Sequence, residues 1–204
     1  MPQQGNLQDL NILGERAAID FTNTIDWRGR EDSIEYLNSY EDLVDWARRI
    51  ELINQSTATE LKRRAAQNPD KAIESLQRAR EFREAAYRVL YRLSLNEAPE
   101  HRDVELIDAE MQQMSMHLRL DLEEKQLTLI DEIDLDYVLR LIVKDTVDLL
   151  TSDQLNRVKR CQSDECGWLF IDTSKNNSRK WCNMNSCGNR AKARRHYKRS
   201  KKDD

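Results

Sequence analysis

The four cysteines are the residues of this sequence whose type and spacing point most directly to chemistry. They form two pairs, Cys161-x4-Cys166 and Cys182-x4-Cys187, separated by a short insert. Paired thiols joined in this way suit tetrahedral Zn²⁺, because each pair can turn about one side of the ion and four thiolates complete its shell. A closed shell leaves no position for water, so the pattern predicts one structural zinc ion rather than metal catalysis.

Other uses of four cysteines stay open at this point, because the four-residue gaps are longer than those of the common zinc knuckle. Disulfides would allow three pairings, although a cytosolic chain seldom keeps them. An iron–sulfur cluster also accepts four thiolates. Trp168, Phe170 and Trp181 lie among the cysteines. Three aromatic residues in so small a segment indicate a folded module with a minimal core, which favours a stabilising metal.

The charge of the chain is divided between its two ends. Residues 155–204 contain 14 Lys or Arg and 5 Asp or Glu, a net charge of +9, whereas residues 1–154 carry −13, and the two sum to the overall −4. An acidic body joined to a basic end suggests a regulator whose basic end contacts nucleic acid. A solvated basic tail is the alternative explanation.

A basic helix is predicted directly after the last cysteine, because good helix formers follow Cys187. At about 100° per residue, Ala193 and Tyr197 fall on a side expected to pack on the finger, and Arg190 and Arg194 fall on an opposite, cationic side. A loop between the cysteine pairs supplies further cations, and Asn189 either caps the helix or contacts a base edge. The predicted DNA-binding residues are Arg179, Lys180, Asn189, Arg190, Lys192, Arg194, Arg195, Lys198 and Arg199.

The preceding chain reads as mainly helical. Ser39 and Asp42 resemble a capping box, a second helix is expected from Thr57, and Asn68-Pro69 is typical of a helix start. Alternating leucines on either side of residues 123–125 predict a short hairpin. The expected fold is therefore mainly α (α+β), with an acidic helical domain over residues 1–154 and a small treble-clef-like four-cysteine zinc finger with a terminal basic helix over residues 155–204.

A ligand pocket in the helical domain is a further hypothesis. Asp20, Asn23 and Arg83 are polar residues on segments that also carry core residues, which is where a binding site would place its few polar groups. Capping and turn formation are the alternative explanation for Asp20 and Asn23. The sequence has no Gly-rich phosphate loop, His-Glu-x-x-His or Gly-x-Ser-x-Gly motif, so we do not expect an enzyme. With no long apolar run and no secretory signal, we expect a cytoplasmic protein without membrane contact.

The segment from Cys161 to Arg199 closely resembles the CGNR zinc finger family, whose name is spelled by Cys187-Gly188-Asn189-Arg190. The four-residue gaps between the cysteines match that family's pattern, and Ala18–Arg28 is similar to the start of the ABATE domain that usually precedes such a finger. The resemblance implies a bacterial regulator of the stress-induced transcription type. Its N-terminal domain would sense a small-molecule or protein effector, and its finger, held by one structural zinc, would bind DNA.

One alternative to DNA binding stays open, and one expectation concerns the removal of zinc. The main alternative is that the finger is a zinc-dependent RNA- or protein-binding module, in which single-stranded bases would stack on Trp168 or Trp181. For the DNA-binding regulator, removal of zinc is expected to unfold residues 155–204, to abolish DNA binding and to leave the helical domain largely intact.

Overall fold

The computed structural model describes residues 2–130 and 133–200, with side chains throughout except at positions 195, 196 and 198–200. This part of the chain is mainly helical, as predicted, and it contains three small sheets. The helices are α1 (Ala17–Thr22), α2 (Tyr40–Arg49), α3 (Gln55–Gln67), α4 (Pro69–Ser94), α5 (His101–Ser115), α6 (Tyr137–Leu150) and α7 (Asn189–Ser200). The strands are β1 (Gln3–Gln4), β2 (Ile25–Asp26), β3 (Ile34–Glu35), β4 (Leu118–Asp121), β5 (Gln126–Leu129), β6 (Val158–Arg160) and β7 (Leu169–Ile171).

Local signals account for the starts of the first long helices. The capping box of α2 is present: the Asp42 backbone N–H donates to Ser39 Oγ, and the Ser39 backbone N–H donates to the Asp42 carboxylate. Helix α4 begins with proline at its first position, as predicted. The prediction that α3 starts at Thr57 was wrong by two residues, because Asn54 is the N-cap and accepts the Thr57 N–H at 2.9 Å.

Helix α4 occupies the centre of the fold and contacts helices α1, α2, α3, α5 and α6. Its buried side, which includes Phe82, faces a core that also contains Phe21 and Trp46, and the rings of the latter two lie 5.3 Å apart. These apolar contacts are the main source of stability for the helical body.

The sheets are small. Strands β4 and β5 form the predicted hairpin, in the register Leu118↔Leu129 and Leu120↔Leu127. Strands β1, β3 and β2 form a three-stranded sheet in which β3 lies in the middle. Each of these three strands has only two residues, which is too short for alternation to be recognised in the sequence.

The finger consists of the β6–β7 hairpin, a loop, one turn of π-helix at Met184–Gly188, and α7. Its hairpin packs on α1 and α4, so that Leu169 shares an apolar cluster with Ile19, Leu90 and Leu149 of the helical body. The two predicted ranges, 1–154 and 155–204, therefore meet through a buried interface. Whether each range folds as a separate domain stays a prediction.

Candidate metal centre and finger surface

The four cysteines converge on one point. Cys161 follows β6, Cys166 lies in the turn before β7, Cys182 follows the loop, and Cys187 lies in the π-helical turn before α7. All four are buried, and their Sγ atoms lie within 4.8 Å of one another.

The distances between these sulfur atoms fit zinc. Cys182 Sγ lies 3.7 Å from both Cys166 Sγ and Cys187 Sγ. Four thiolates at about 2.3 Å from a tetrahedral Zn²⁺ would stand about 3.8 Å apart. Cys161, Cys166, Cys182 and Cys187 thus form a closed four-thiolate site for one structural zinc ion, as predicted, with no ligand position left for water or substrate.

Two glycines beside the cysteines allow close packing. Gly167 has a φ of +74°, in the left-handed region that glycine adopts most readily, and a Cβ at this position would meet Arg28 Cβ at 2.7 Å. A Cβ at Gly188 would collide with the sulfur of Met184. Met184 is an exposed and flexible side chain, so a larger residue at position 188 would require it to move.

Arg179 makes structural contacts within the protein, and its role as a DNA contact stays a prediction. Its guanidinium donates to Glu15 Oε1 at 2.5 Å, to the Trp181 carbonyl oxygen at 3.0 Å and to the carbonyl oxygens of Ile171 and Cys182. The same group lies 4.5 Å from the centre of the Phe170 ring. Because these contacts use the donors of the guanidinium, Arg179 ties the loop to the hairpin and to the helical body.

Arg190 is also turned toward the protein, and DNA contact by this residue stays a prediction. Its guanidinium lies 4.5 Å from the centre of the Trp27 ring and donates to Cys187 Sγ at 3.0 Å. The first turn of α7 lies against the body, so this half-buried arginine stabilises the helix start and the charge of the thiolate rather than facing solvent.

The orientation of α7 differs from the one predicted. Ala193 and Tyr197, expected to pack on the finger, are exposed, the latter by 61%. The opposite side contacts the protein instead, because Arg190 lies on Trp27 and Arg194 donates to Glu165 Oε1 at 2.7 Å. In this orientation the Trp27 ring of the body and the Glu165 carboxylate of the finger bind arginines of α7.

The remaining predicted DNA contacts are distributed as follows. Lys180 and Lys192 are at least partly exposed, and Arg194 keeps 51% of its side chain exposed in its ion pair. Asn189 is exposed and donates to the Asn185 carbonyl oxygen at 3.1 Å, which supports the helix start; contact with a base stays a prediction. The side chains of Arg195, Lys198 and Arg199 lie outside the described residues.

The three residues of the predicted ligand pocket make separate structural contacts. Asn23 forms two hydrogen bonds with the backbone of Leu169, from Nδ2 to the carbonyl oxygen at 2.9 Å and from the N–H to Oδ1 at 3.0 Å. Arg83 donates to both carboxylate oxygens of Glu35, at 2.8 and 2.6 Å. These contacts explain why Asn23 and Arg83 are buried, and a ligand-binding role for them stays a prediction.

Asp20 accepts hydrogen bonds from the backbone N–H groups of Leu13 and Gly14, at 2.8 and 3.0 Å. Burial outweighs these bonds and raises the pKa of the Asp20 carboxyl to about 6. Because this pKa is higher in the folded chain than in the unfolded chain, Asp20 favours folding at low pH, and that contribution is lost as the pH rises through about 6. Through its two backbone hydrogen bonds, Asp20 fixes the loop that precedes α1.

Several residues at the body–finger interface were not predicted from the sequence. Trp27 adopts a φ of 55°, which is uncommon for a bulky residue, and the loop that contains it reaches the finger, where the Arg28 N–H donates to the Cys166 carbonyl oxygen at 3.1 Å. Tyr87 Oη donates to the Gly167 carbonyl oxygen at 2.7 Å. Trp168 is only 4% exposed, and its Nε1 donates to the Ile25 carbonyl oxygen at 3.0 Å. No motif in the sequence marks these long-range contacts.

In the described ranges, no helix has both the length and the apolar composition needed to cross a membrane. Comparison with known proteins yields two family matches. The CGNR zinc finger matches residues 157–200, and ABATE, described as "Putative stress-induced transcription regulator", matches residues 15–153. No curated protein matches the chain. The ABATE match covers more than half of the sequence, and the finger match coincides with the four-cysteine site, so the chain belongs to the ABATE family and carries a CGNR zinc finger.

Proposed function

We propose that this protein is a DNA-binding transcription regulator whose zinc finger contacts the phosphate backbone and whose ABATE part responds to an effector. The observation that carries the proposal is the position of α7. This helix starts at the metal centre, and six of its 12 residues are Lys or Arg with no acidic residue among them. A metal-anchored cationic helix suits docking on DNA, because phosphate contacts supply most of the affinity of such interfaces.

The exposed cations define where DNA would approach. Lys192 projects from α7 into solvent, and Arg194 remains half exposed beside Glu165. The inward contacts of Arg179 and Arg190 contribute by holding the helix and the loop in place. Rigid support of this kind reduces the entropy that binding would otherwise cost.

The alternative of an RNA-binding module has less support. Stacking of single-stranded bases needs exposed aromatic faces. Trp168 is buried by the helical body, and Trp181 is half-buried. We therefore favour duplex DNA, for which the cationic surface is sufficient.

The proposal includes a non-enzymatic role and a cytoplasmic location. Four thiolates complete the zinc shell, so the metal would stabilise the finger and supply no chemistry of its own. A reducing compartment would keep these thiols available for zinc. Separation of soluble and membrane fractions, with the protein detected by antibody, would test the location.

Fluorescence anisotropy on labelled duplex DNA across a salt series tests the proposal, with zinc-loaded full-length protein. We expect binding to weaken steeply with salt and to disappear when a chelator removes the zinc. Replacing Lys192 by Gln should lower the slope of log K against log salt by about 1. Lys71→Gln, which removes an exposed lysine of the helical body, is the matched control. Equal binding before and after verified zinc loss would contradict the proposal.

A further inference from the structure

A cleft lies between the end of α4 and the finger. Its volume is about 410 Å³, within the range of about 300–1,000 Å³ that is usual for small-molecule sites. One wall consists of Tyr91 and Ser94 of α4, and the other is formed by Arg160 of β6, by Gln162 and by Lys180 of the loop between the cysteine pairs.

Four basic side chains line the cleft: Lys159, Arg160, Arg179 and Lys180. Among the described residues no Asp or Glu lines it, whereas Cys161, a thiolate ligand of the metal site, does. Two of these cations are neutralised from outside the cleft, because Lys159 Nζ donates to Asp172 at 2.6 Å and Arg179 binds Glu15.

The other two cations, Arg160 and Lys180, form no ion pair with a carboxylate in the described part of the chain. The guanidinium of Arg160 lies 5.3 Å from the centre of the Tyr91 ring, so an aromatic face partly fixes its position. The carbonyl end of α4 offsets about half a positive charge at most. Four thiolates outnumber the two charges of Zn²⁺, so the adjacent metal site is anionic, and its ligand Cys161 also lines the cleft. The positive charge available to a ligand is therefore local, at Arg160 and Lys180.

This arrangement favours an anion with several oxygens. A guanidinium binds phosphate through two parallel hydrogen bonds, and a lysine on the same wall adds a third, mobile donor. Gln162 offers an amide at the same wall, and Tyr91 offers an apolar ring edge. The cleft thus combines charged donors for a phosphate with space for the group that carries it.

We propose that this cleft binds a small phosphorylated molecule, with its phosphate between Arg160 and Lys180. The proposal deepens the proposed sensing function and rests on it, because such a ligand would touch α4 of the ABATE part and the finger at once. A ligand that contacts both parts can shift their relative arrangement only if it binds one arrangement more tightly than another. The cleft gives it contacts to both.

Isothermal titration calorimetry on the zinc-loaded full-length protein, with pyrophosphate and with ATP as separate probes and without DNA, tests the assignment. We expect saturable binding of at least one probe. Arg160→Gln and Lys180→Gln should each raise the dissociation constant at least about tenfold, since each removes a charge-assisted hydrogen bond. Lys175→Gln, an exposed lysine of the same finger outside the cleft, should change it by less than about twofold.

Zinc content and circular dichroism verify that each variant is folded. Lys180→Gln keeps the test valid if the loss of Arg160 disturbs the packing of Tyr91. Absence of binding by both probes, or equal weakening by all three variants, would overturn the proposal.

DNA binding by the same variants shows whether the cleft binds the phosphate of a small molecule or the phosphates of DNA. If the cleft variants weaken DNA binding and neither probe binds, the cleft belongs to the DNA surface. If a probe binds and DNA does not, the DNA-binding proposal fails and the cleft assignment stands.

Discussion

At the residue scale, polar side chains that suggested ligand or DNA binding also make contacts that hold the molecule together. Asn23 pairs with the Leu169 backbone, and Arg179 and Arg190 tie the finger to itself and to the body. Residue type indicates only which kinds of partner a side chain can bind. Arginine can donate hydrogen bonds to a carbonyl oxygen, to a thiolate or to a phosphate. The partner is decided by the nearest unsatisfied acceptor in the fold.

The Asn23→Ala variant tests this structural role. We expect the free energy of unfolding to fall by about 1–3 kcal/mol, because the Leu169 N–H and carbonyl oxygen would lose their partners in a buried site. Urea denaturation of the zinc-loaded protein measures the change, and Asn11→Ala, at an exposed position, is the control. Equal stability of the two variants would show that water replaces the amide at this site.

At the element scale, helix starts are stabilised in two different ways. Helix α2 carries its own capping box, which was readable from the sequence. Helix α1 has Arg16 at its N-cap position with no side-chain hydrogen bond of its own. The cap is supplied by α6, where Asp145 Oδ2 accepts the Ala18 N–H at 2.7 Å and Oδ1 accepts Arg16 Nη2 at 2.6 Å. A carboxylate from another helix thus satisfies the first turn of α1.

Asp145→Ala should therefore destabilise the protein by about 1–2 kcal/mol, as the loss of a good N-cap does. The control is Asp148→Ala, one turn later on the same helix, which removes an exposed ion pair with Lys144 and should cost less than about 0.5 kcal/mol. Chemical denaturation under identical conditions compares the two. A larger loss for Asp148→Ala would refute a capping role for Asp145.

At the scale of the whole molecule, the finger and the helical body share an interface. The cysteines and Trp168 belong to the same buried cluster as the core of the body, and Leu169 packs with Ile19 and Leu90. The sequence suggested that loss of zinc would leave the helical domain intact. The interface leads us to expect otherwise, because disorder in the finger would expose apolar surface on α1 and α4.

Hydrogen exchange with and without a chelator tests this expectation. Zinc removal should increase amide exchange in residues 157–188 and also in α1 and in the second half of α4, which contact the finger. Helix α3, whose main contacts are with α2 and α4, serves as the internal control. An increase limited to the finger would mean that the helical body is stable by itself, as first expected.

The sequence alone was sufficient for the features that depend on local spacing. It identified the four zinc ligands, the start of α4, the capping box of α2 and the hairpin, because each follows from residues that are close along the chain. It also revealed the divided charge, which needs only counting.

Only the tertiary structure decided which side of α7 faces the body, which arginines remain exposed, and where the finger sits on α1 and α4. These outcomes depend on contacts between residues far apart in sequence, such as Trp27 with Arg190 and Asn23 with Leu169. Local helical periodicity predicts that a helix has two sides. The side that is buried is chosen by the competition between all the surfaces that the folded chain brings within reach, because side-chain contacts are made in space and not along the sequence.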